Sequence, residues 1–162
     1  MPRSALARAA LDLGNYTTAI HLAQTQILPV EQPLSPQRRL AQASLRVTLA
    51  TSFNQTGRPE EVYGVANEAL NLIDPTDESN VVRVDALDQL GIAQRHLGNV
   101  DAALDYFQRA LSALDDAHPP RSLEAARISS NIARVYARDG RVTLAEVAAR
   151  RAVIEASRVY AA

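Results

Sequence analysis

Three arginines of this chain, Arg127, Arg134 and Arg138, stand at i, i+7 and i+11, a spacing that puts their guanidiniums on one face of a helix. From there they can converge on a carboxylate or an acidic side chain, which a guanidinium binds through paired, charge-assisted hydrogen bonds. Asn131 lies on the same stretch, and Asn54, Gln55 and Gln89 supply further amides. Each amide both donates and accepts, which is what an extended peptide backbone asks of its binding surface. Arg95 adds a cation beside His96. Nothing in the chain has the spacing of a catalytic or metal site. His21, His96 and His118 are isolated from one another, with no histidine pair at i, i+4 and no carboxylate cluster in ligand spacing. Cysteine is absent, which excludes disulfides, thiolate zinc sites and cysteine nucleophiles. The glycines are too far apart for a phosphate loop, and no serine sits in a nucleophile elbow. We therefore expect no enzyme activity, no cofactor and no metal.

The elements that must carry these side chains are written as a repeat. Gly14, Gly57, Gly98 and Gly140 lie 43, 41 and 42 residues apart, a period that marks a stacked array. Seven residues before each glycine stands a small residue, Ala7, Ala50, Gly91 or Ala133, and eight before an aliphatic one, Leu6, Leu49, Leu90 or Ile132. Five after comes Ala19, Val62, Ala103 or Ala145. Twelve after comes Gln26, Ala69, Ala110 or Ala152, followed by Ile27, Leu70, Leu111 or Val153. Small residues in mid-helix let two helices approach closely while their aliphatic neighbours fill the space beside the contact. The glycine reverses the chain in a left-handed conformation that other residues enter only at a steric cost. The expected architecture is all-α: a solenoid of four antiparallel helix pairs.

Punctuation places the helices. The first runs from about Ser4 to Leu13 and the second from Tyr16 to Leu28. Pro29, Pro33 and Pro36 then interrupt, and Ser35 caps a helix that has Pro36 at its first position and reaches Thr56. Pro59-Glu60-Glu61 opens its partner, which ends near Ile73; proline and acids suit a helix start. Asp74-Pro75-Thr76-Asp77 and His118-Pro119-Pro120 break the later units. Between and after them helices are expected to Leu97, from Val100 to Asp116, from Arg121 to Asp139 and from Val142 to Tyr160. The units are approximately 1–34, 35–75, 76–118 and 119–162 of one repeat domain. The first helix is about half the length of its counterpart, so the chain is expected to be a segment of a longer protein or to begin with a truncated cap. Either way the solenoid exposes helix faces at its ends, and self-association there is an expectation.

Hydrophobic residues make up 47% of the chain but aromatics only 4%, so the interior must be alanine, leucine and valine packed at short range. Charge is uneven. Residues 1–59 carry six arginines against two acids, residues 60–116 three against twelve, and residues 117–162 eight against four. An acidic middle between basic ends is not the continuous basic stripe of a nucleic-acid binder. No apolar run has the length of a transmembrane helix, and Arg8 and Asp12 interrupt the only N-terminal candidate for a signal core. A cytoplasmic location and no membrane partner are expected.

The third unit, with Leu90-Gly91, Gly98-Asn99-Val100, Ala103 and Phe107-Gln108-Arg109-Ala110-Leu111, resembles the tetratricopeptide repeat, as does Gly14-Asn15-Tyr16 with Ala19 in the first. The resemblance covers almost the whole chain. The common repeat of that family is about 34 residues, whereas this one is near 42, similar to the long variety of kinesin light chains and of bacterial regulatory proteins. Gln26 replaces the alanine expected twelve after the glycine in the first unit, Val62 the alanine expected five after it in the second, and Ala149 occupies the aromatic column of the fourth. The resemblance implies a right-handed superhelix whose concave face is lined by the first helix of each pair, at the positions thirteen, ten, nine, six, three and two before the turn glycine.

Those positions carry Ser4, Arg8 and Asp12 in the first unit; Ser44, Val47, Thr48, Thr51, Asn54 and Gln55 in the second; Asp85, Asp88, Gln89, Ile92, Arg95 and His96 in the third; and Arg127, Ser130, Asn131, Arg134, Ala137 and Arg138 in the fourth. The candidate site is accordingly Asn54, Gln55, Gln89, Arg95, Arg127, Asn131, Arg134 and Arg138, for an extended, partly acidic peptide or protein segment. Asn131 stands where related arrays often place an asparagine that grips the ligand backbone. The lysine-and-asparagine clamp known for chaperone tails is unmatched, since all 17 basic residues are arginine. Two alternatives stay open. Asp85 and Asp88 can pair with Arg127 and Arg134 across the unit boundary, as surface ion pairs of small net value. The array can also serve as the sensor or oligomerisation region of a larger bacterial transcription or signalling regulator.

Overall fold

A computed structural model describes residues 3–28, 34–73, 80–115 and 122–158, which form eight α-helices. These are α1 (Arg3–Asp12), α2 (Tyr16–Gln24), α3 (Pro36–Gln55), α4 (Val62–Leu72), α5 (Asn80–Leu97), α6 (Val100–Asp115), α7 (Ser122–Arg138) and α8 (Val142–Arg158). They pack as consecutive pairs, and the second helix of each pair lies against the first helix of the next. First helices also touch along the stack, α1 with α3, α3 with α5, and α5 with α7. The protein is thus an all-helical array. The inter-unit prolines, His118, and the proposed last residues of α6 and α8 lie outside the described residues.

The four turn glycines all have positive φ, between 72° and 83°. Each turn is closed in the same way. The amide after the glycine donates to the carbonyl five residues back, as in Asn15 N to Ala10 O at 2.8 Å and Asn99 N to Gln94 O at 2.9 Å. The glycine amide itself donates three residues back, as in Gly14 N to Leu11 O at 2.9 Å. Two carbonyls that a helix end would otherwise leave unpaired are satisfied, and only glycine accepts this conformation without strain.

Ser35 caps α3 as expected, and Asn15 caps α2. Ser35 accepts from Arg38 N at 3.4 Å with Pro36 in the first turn, and Asn15 accepts from Thr18 N at 3.2 Å. Two starts and stops differ from expectation. Pro59–Glu61 forms a single 3-10 turn before α4. α2 ends at Gln24 and not at Leu28, because α3 takes hold of the following backbone. Gln42 accepts from Leu28 N at 2.8 Å and donates to Gln26 O at 3.0 Å, while Arg46 donates to Leu28 O at 3.1 Å.

The core runs along the seams between helices. Ala7, Ala19, Ala23, Ala50, Ala66, Ala69, Ala103 and Ala110 are fully buried, so the repeated small columns are the points of closest approach. One pair departs from alanine on alanine. In the third unit Gly91 faces Phe107, and a Cβ at Gly91 would lie 2.5 Å from Cε1 of that ring.

Candidate functional site

The first helices together form a groove. A cleft of about 430 Å³ is lined by Arg8 and Leu11 of α1, Val47 and Thr51 of α3, Val81, Asp85 and Gln89 of α5, and Leu123, Glu124 and Arg127 of α7. A second hollow beside it, about 540 Å³, is lined by α1, α3 and α5 and includes Leu40, Ser44, Val81 and Val82. Every pair therefore contributes its first helix to the walls of these hollows.

A polar ladder joins neighbouring first helices. Asn54 of α3 donates through Nδ2 to both the backbone oxygen and Oε1 of Gln89 on α5, each at 2.9 Å. Asn131 of α7 donates to Oδ1 of Asp88 on α5 at 2.9 Å. Arg127 spans Asp85, at 2.7 Å, and Asp88, to which its Nη1 donates a short bond. Arg138 donates to the backbone oxygen of Arg95 at 3.3 Å. Asn54, Asp88, Gln89 and Asn131 are all buried. Of the candidate residues, then, Asn54, Gln89, Asn131 and Arg127 bridge adjacent first helices. A buried amide with a committed partner holds helix spacing, since leaving it unpaired costs about 1–3 kcal/mol. Removing one side of such a bond costs more than its mean worth, so the ladder sets the lateral spacing of the groove's walls.

Asp88 is the most deeply placed of these groups. Burial pushes its carboxyl above the usual carboxylate value, against the opposing pull of Arg127 and the Asn131 hydrogen bond. The acid is kept where it is by two donors from α7, which fixes α5 against α7.

The remaining candidates gather at the other end of α5 and α7. Arg95, Arg134 and Arg138 lie close enough that burial first, and then the Arg134 and Arg138 charges, lower Arg95 from its usual value. His96 is likewise held below its ordinary value by burial, Arg95 and Arg138. Arg95 Nη2 meets His96 Nε2 at 3.0 Å, yet Arg95 Nε is buried without a hydrogen-bond partner. Among the described residues no carboxylate lies within ion-pair distance of Arg95, Arg134 or Arg138, whereas Arg127 has two. Gln55 is exposed at the end of α3, and like Arg134 it makes no side-chain bond within the described chain. Three like charges in one place, one of them partly desolvated, form an electropositive site that an anion would relieve.

Several lining residues escaped the sequence reading. Leu40, Val81 and Leu123 occupy one column, seventeen residues before the turn glycine, and give the groove an apolar edge. The repetition of an apolar residue there was the available signal. Arg46 was also missed; it is buried and bonds to Glu68 at 2.9 Å, to Gln42 and to Leu28 O. Its role is to tie the end of α2 and α4 to α3.

Among the described residues no group of three or more histidines or acids is placed to hold a metal ion. None of the described helices is long and apolar enough to cross a membrane. Comparison with known proteins gives one family. Residues 82–153, from the first turns of α5 into α8, match the tetratricopeptide repeat. No curated protein matches the chain. Helices packed in consecutive pairs around glycine turns extend the same architecture through the described residues on the N-terminal side. Residues 82–153 are thus similar to the tetratricopeptide repeat, a kind of domain that generally serves protein interaction and is typically non-catalytic.

Proposed function

We propose that the groove built by α1, α3, α5 and α7 binds an extended peptide or a segment of a partner protein, and that the ligand's acidic group is met by Arg95, Arg134 and Arg138. One observation carries this reading: three arginines with no carboxylate partner among the described residues sit together at the end of a groove whose other arginines, Arg8 and Arg127, are already paired. A fold that neutralises Arg127 twice and leaves these cations facing one another leaves an anion site open. The apolar edge of Leu40, Val81 and Leu123 would take one or two apolar ligand side chains, and Gln55 is free to meet the ligand backbone. In this arrangement Asn54, Gln89, Asn131 and Arg127 act on the ligand through the spacing of the helices they join.

The test uses a peptide selected on the wild-type protein from a random library and titrated by fluorescence anisotropy. The selected sequences should be rich in Asp and Glu. A charge-assisted hydrogen bond contributes about 1.5–3 kcal/mol when well formed, so Arg134→Ala should weaken binding about ten- to a hundredfold and reduce its salt sensitivity. Arg150→Ala, exposed on α8 away from the groove, should bind as the wild type does. Selected peptides without acidic residues, or Arg134→Ala binding unchanged, would remove the concave face from consideration.

A further inference from the structure

Arg95 stands inside the array, with α3 packed on one side of its helix and α7 on the other. The backbone brings two arginines of α7 to it. Arg138 Nη1 donates to the Arg95 carbonyl at 3.3 Å, and Arg134 precedes Arg138 by four residues, so the two side chains neighbour each other on one face of α7. Like charges at that spacing repel. Among the described residues no carboxylate stands within ion-pair distance of any of the three, and Arg95 Nε is buried without a hydrogen-bond partner.

The same two helices show how this fold handles a carboxylate. Two turns before Arg134, Arg127 alone holds both Asp85 and Asp88 of α5. One guanidinium there serves two carboxylates, so three guanidiniums around one ligand carboxylate would be far in excess. A carboxylate offers two oxygens and a single negative charge to a guanidinium fork. A phosphomonoester brings nearly two negative charges at neutral pH and three acceptor oxygens, one for each of Arg95, Arg134 and Arg138. The donors to meet it are present. Each guanidinium has five N–H groups; Arg95 Nη2 meets His96, Arg138 Nη1 goes to the Arg95 carbonyl, and Arg134 makes no side-chain bond within the described chain.

We infer that the acidic group of the ligand is a phosphorylated side chain, its phosphate held among Arg95, Arg134 and Arg138. This inference rests on the concave-face reading above and narrows its ligand from an acidic peptide to a phosphopeptide. A phosphate carried on a flexible side chain reaches between α5 and α7 to Arg95, whereas the flat layer of headgroups on a membrane meets only cations that stand out from the surface. A nucleic acid would lay its neighbouring phosphates along the adjoining groove wall, where Asp85 stands.

The test starts from an acidic peptide selected on the wild-type chain and made in two forms, with Asp or Glu at the acidic position that matters most and with phosphoserine in its place. By fluorescence anisotropy the phosphoserine form should bind about ten- to a hundredfold tighter, and its phosphorus resonance should shift on binding. Arg134→Ala and Arg138→Ala change exposed residues of α7, so melting temperatures measured alongside should be retained. Each should erase most of the preference for phosphoserine, and Arg150→Ala should keep it. Inorganic phosphate, or vesicles carrying phosphorylated lipid, should displace the phosphopeptide only weakly. Displacement by either at the peptide's own concentration would make free phosphate or a membrane the ligand and overturn the inference. A phosphoserine form no tighter than its acidic parent, or a preference that survives both arginine variants, overturns it too and leaves the acidic-peptide reading standing. Selected peptides without acidic residues overturn both.

Discussion

Gly91 and Phe107 offer the sharpest test of how the pairs are packed. Gly91 lies in the middle of α5, and a Gly→Ala change in a helix interior ordinarily stabilises by about 1 kcal/mol. Here the added Cβ would sit 2.5, 2.7 and 2.8 Å from three carbons of the Phe107 ring. The ring is fully buried among residues of α5, α6 and α7, so it has nowhere to withdraw. Overpacking of this kind costs roughly 1–3 kcal/mol, and with such short approaches the upper part of that range outweighs the gain in helix propensity. Gly91→Ala should therefore destabilise by about 1–2 kcal/mol, which lowers the melting temperature of a chain this size by a few degrees. Phe107→Ala should cost more, about 3–5 kcal/mol, through the cavity it leaves. In that background the sign of Gly91→Ala reverses. The clash is gone, the methyl fills part of the cavity, and the double variant reproduces the Ala7–Ala23 and Ala50–Ala66 arrangement of the first two pairs. Urea denaturation followed by circular dichroism on the four proteins measures the cycle, and the expected coupling is about 2–3 kcal/mol. If Gly91→Ala stabilises both backgrounds equally, the close approach of α5 to Phe107 is not a feature of the folded chain.

The closely packed columns and the basic cluster make two further predictions. Ala103→Leu and Ala110→Leu insert bulk at fully buried positions of α6 and should each cost on the order of 1–3 kcal/mol; melting temperatures unchanged by both would contradict the register of the repeat. His96 has its pKa lowered from 6.5 by burial, Arg95 and Arg138, so the unfolded chain takes up this proton more readily than the folded one. Its contribution to stability is present above about pH 6.5 and is lost as pH falls through the depressed folded value. His96→Gln should flatten the melting temperature over that range, and parallel wild-type and variant profiles would exclude an electropositive surround for this side chain.

The array itself could be read from residue types because its determinants are local and repeated. A glycine every 41 to 43 residues marks the points where, among the described residues, the backbone takes positive φ. Alanine at Ala19, Ala103 and Ala110 marks where helices must touch, and each is buried as its column requires. The end of α2 was less legible, because Gln42 and Arg46 reach back from the next pair to hold residues 26–28, a contact that no local propensity encodes. The same limit governs the groove. The sequence placed Asn54, Gln89 and Asn131 on the first helices, but an amide facing a peptide and an amide facing a neighbouring helix are the same residue. The packing of α3, α5 and α7 decides between them, and with donor–acceptor distances of 2.9 Å it commits Asn54 to Gln89 and Asn131 to Asp88. Arg127 and Arg134 share one face of α7, yet the first lies opposite Asp85 and Asp88 and the second near Arg95. Helical periodicity assigns a side chain to a face, while its partner depends on which turn of the adjacent helix stands opposite, and only the packed structure determines that.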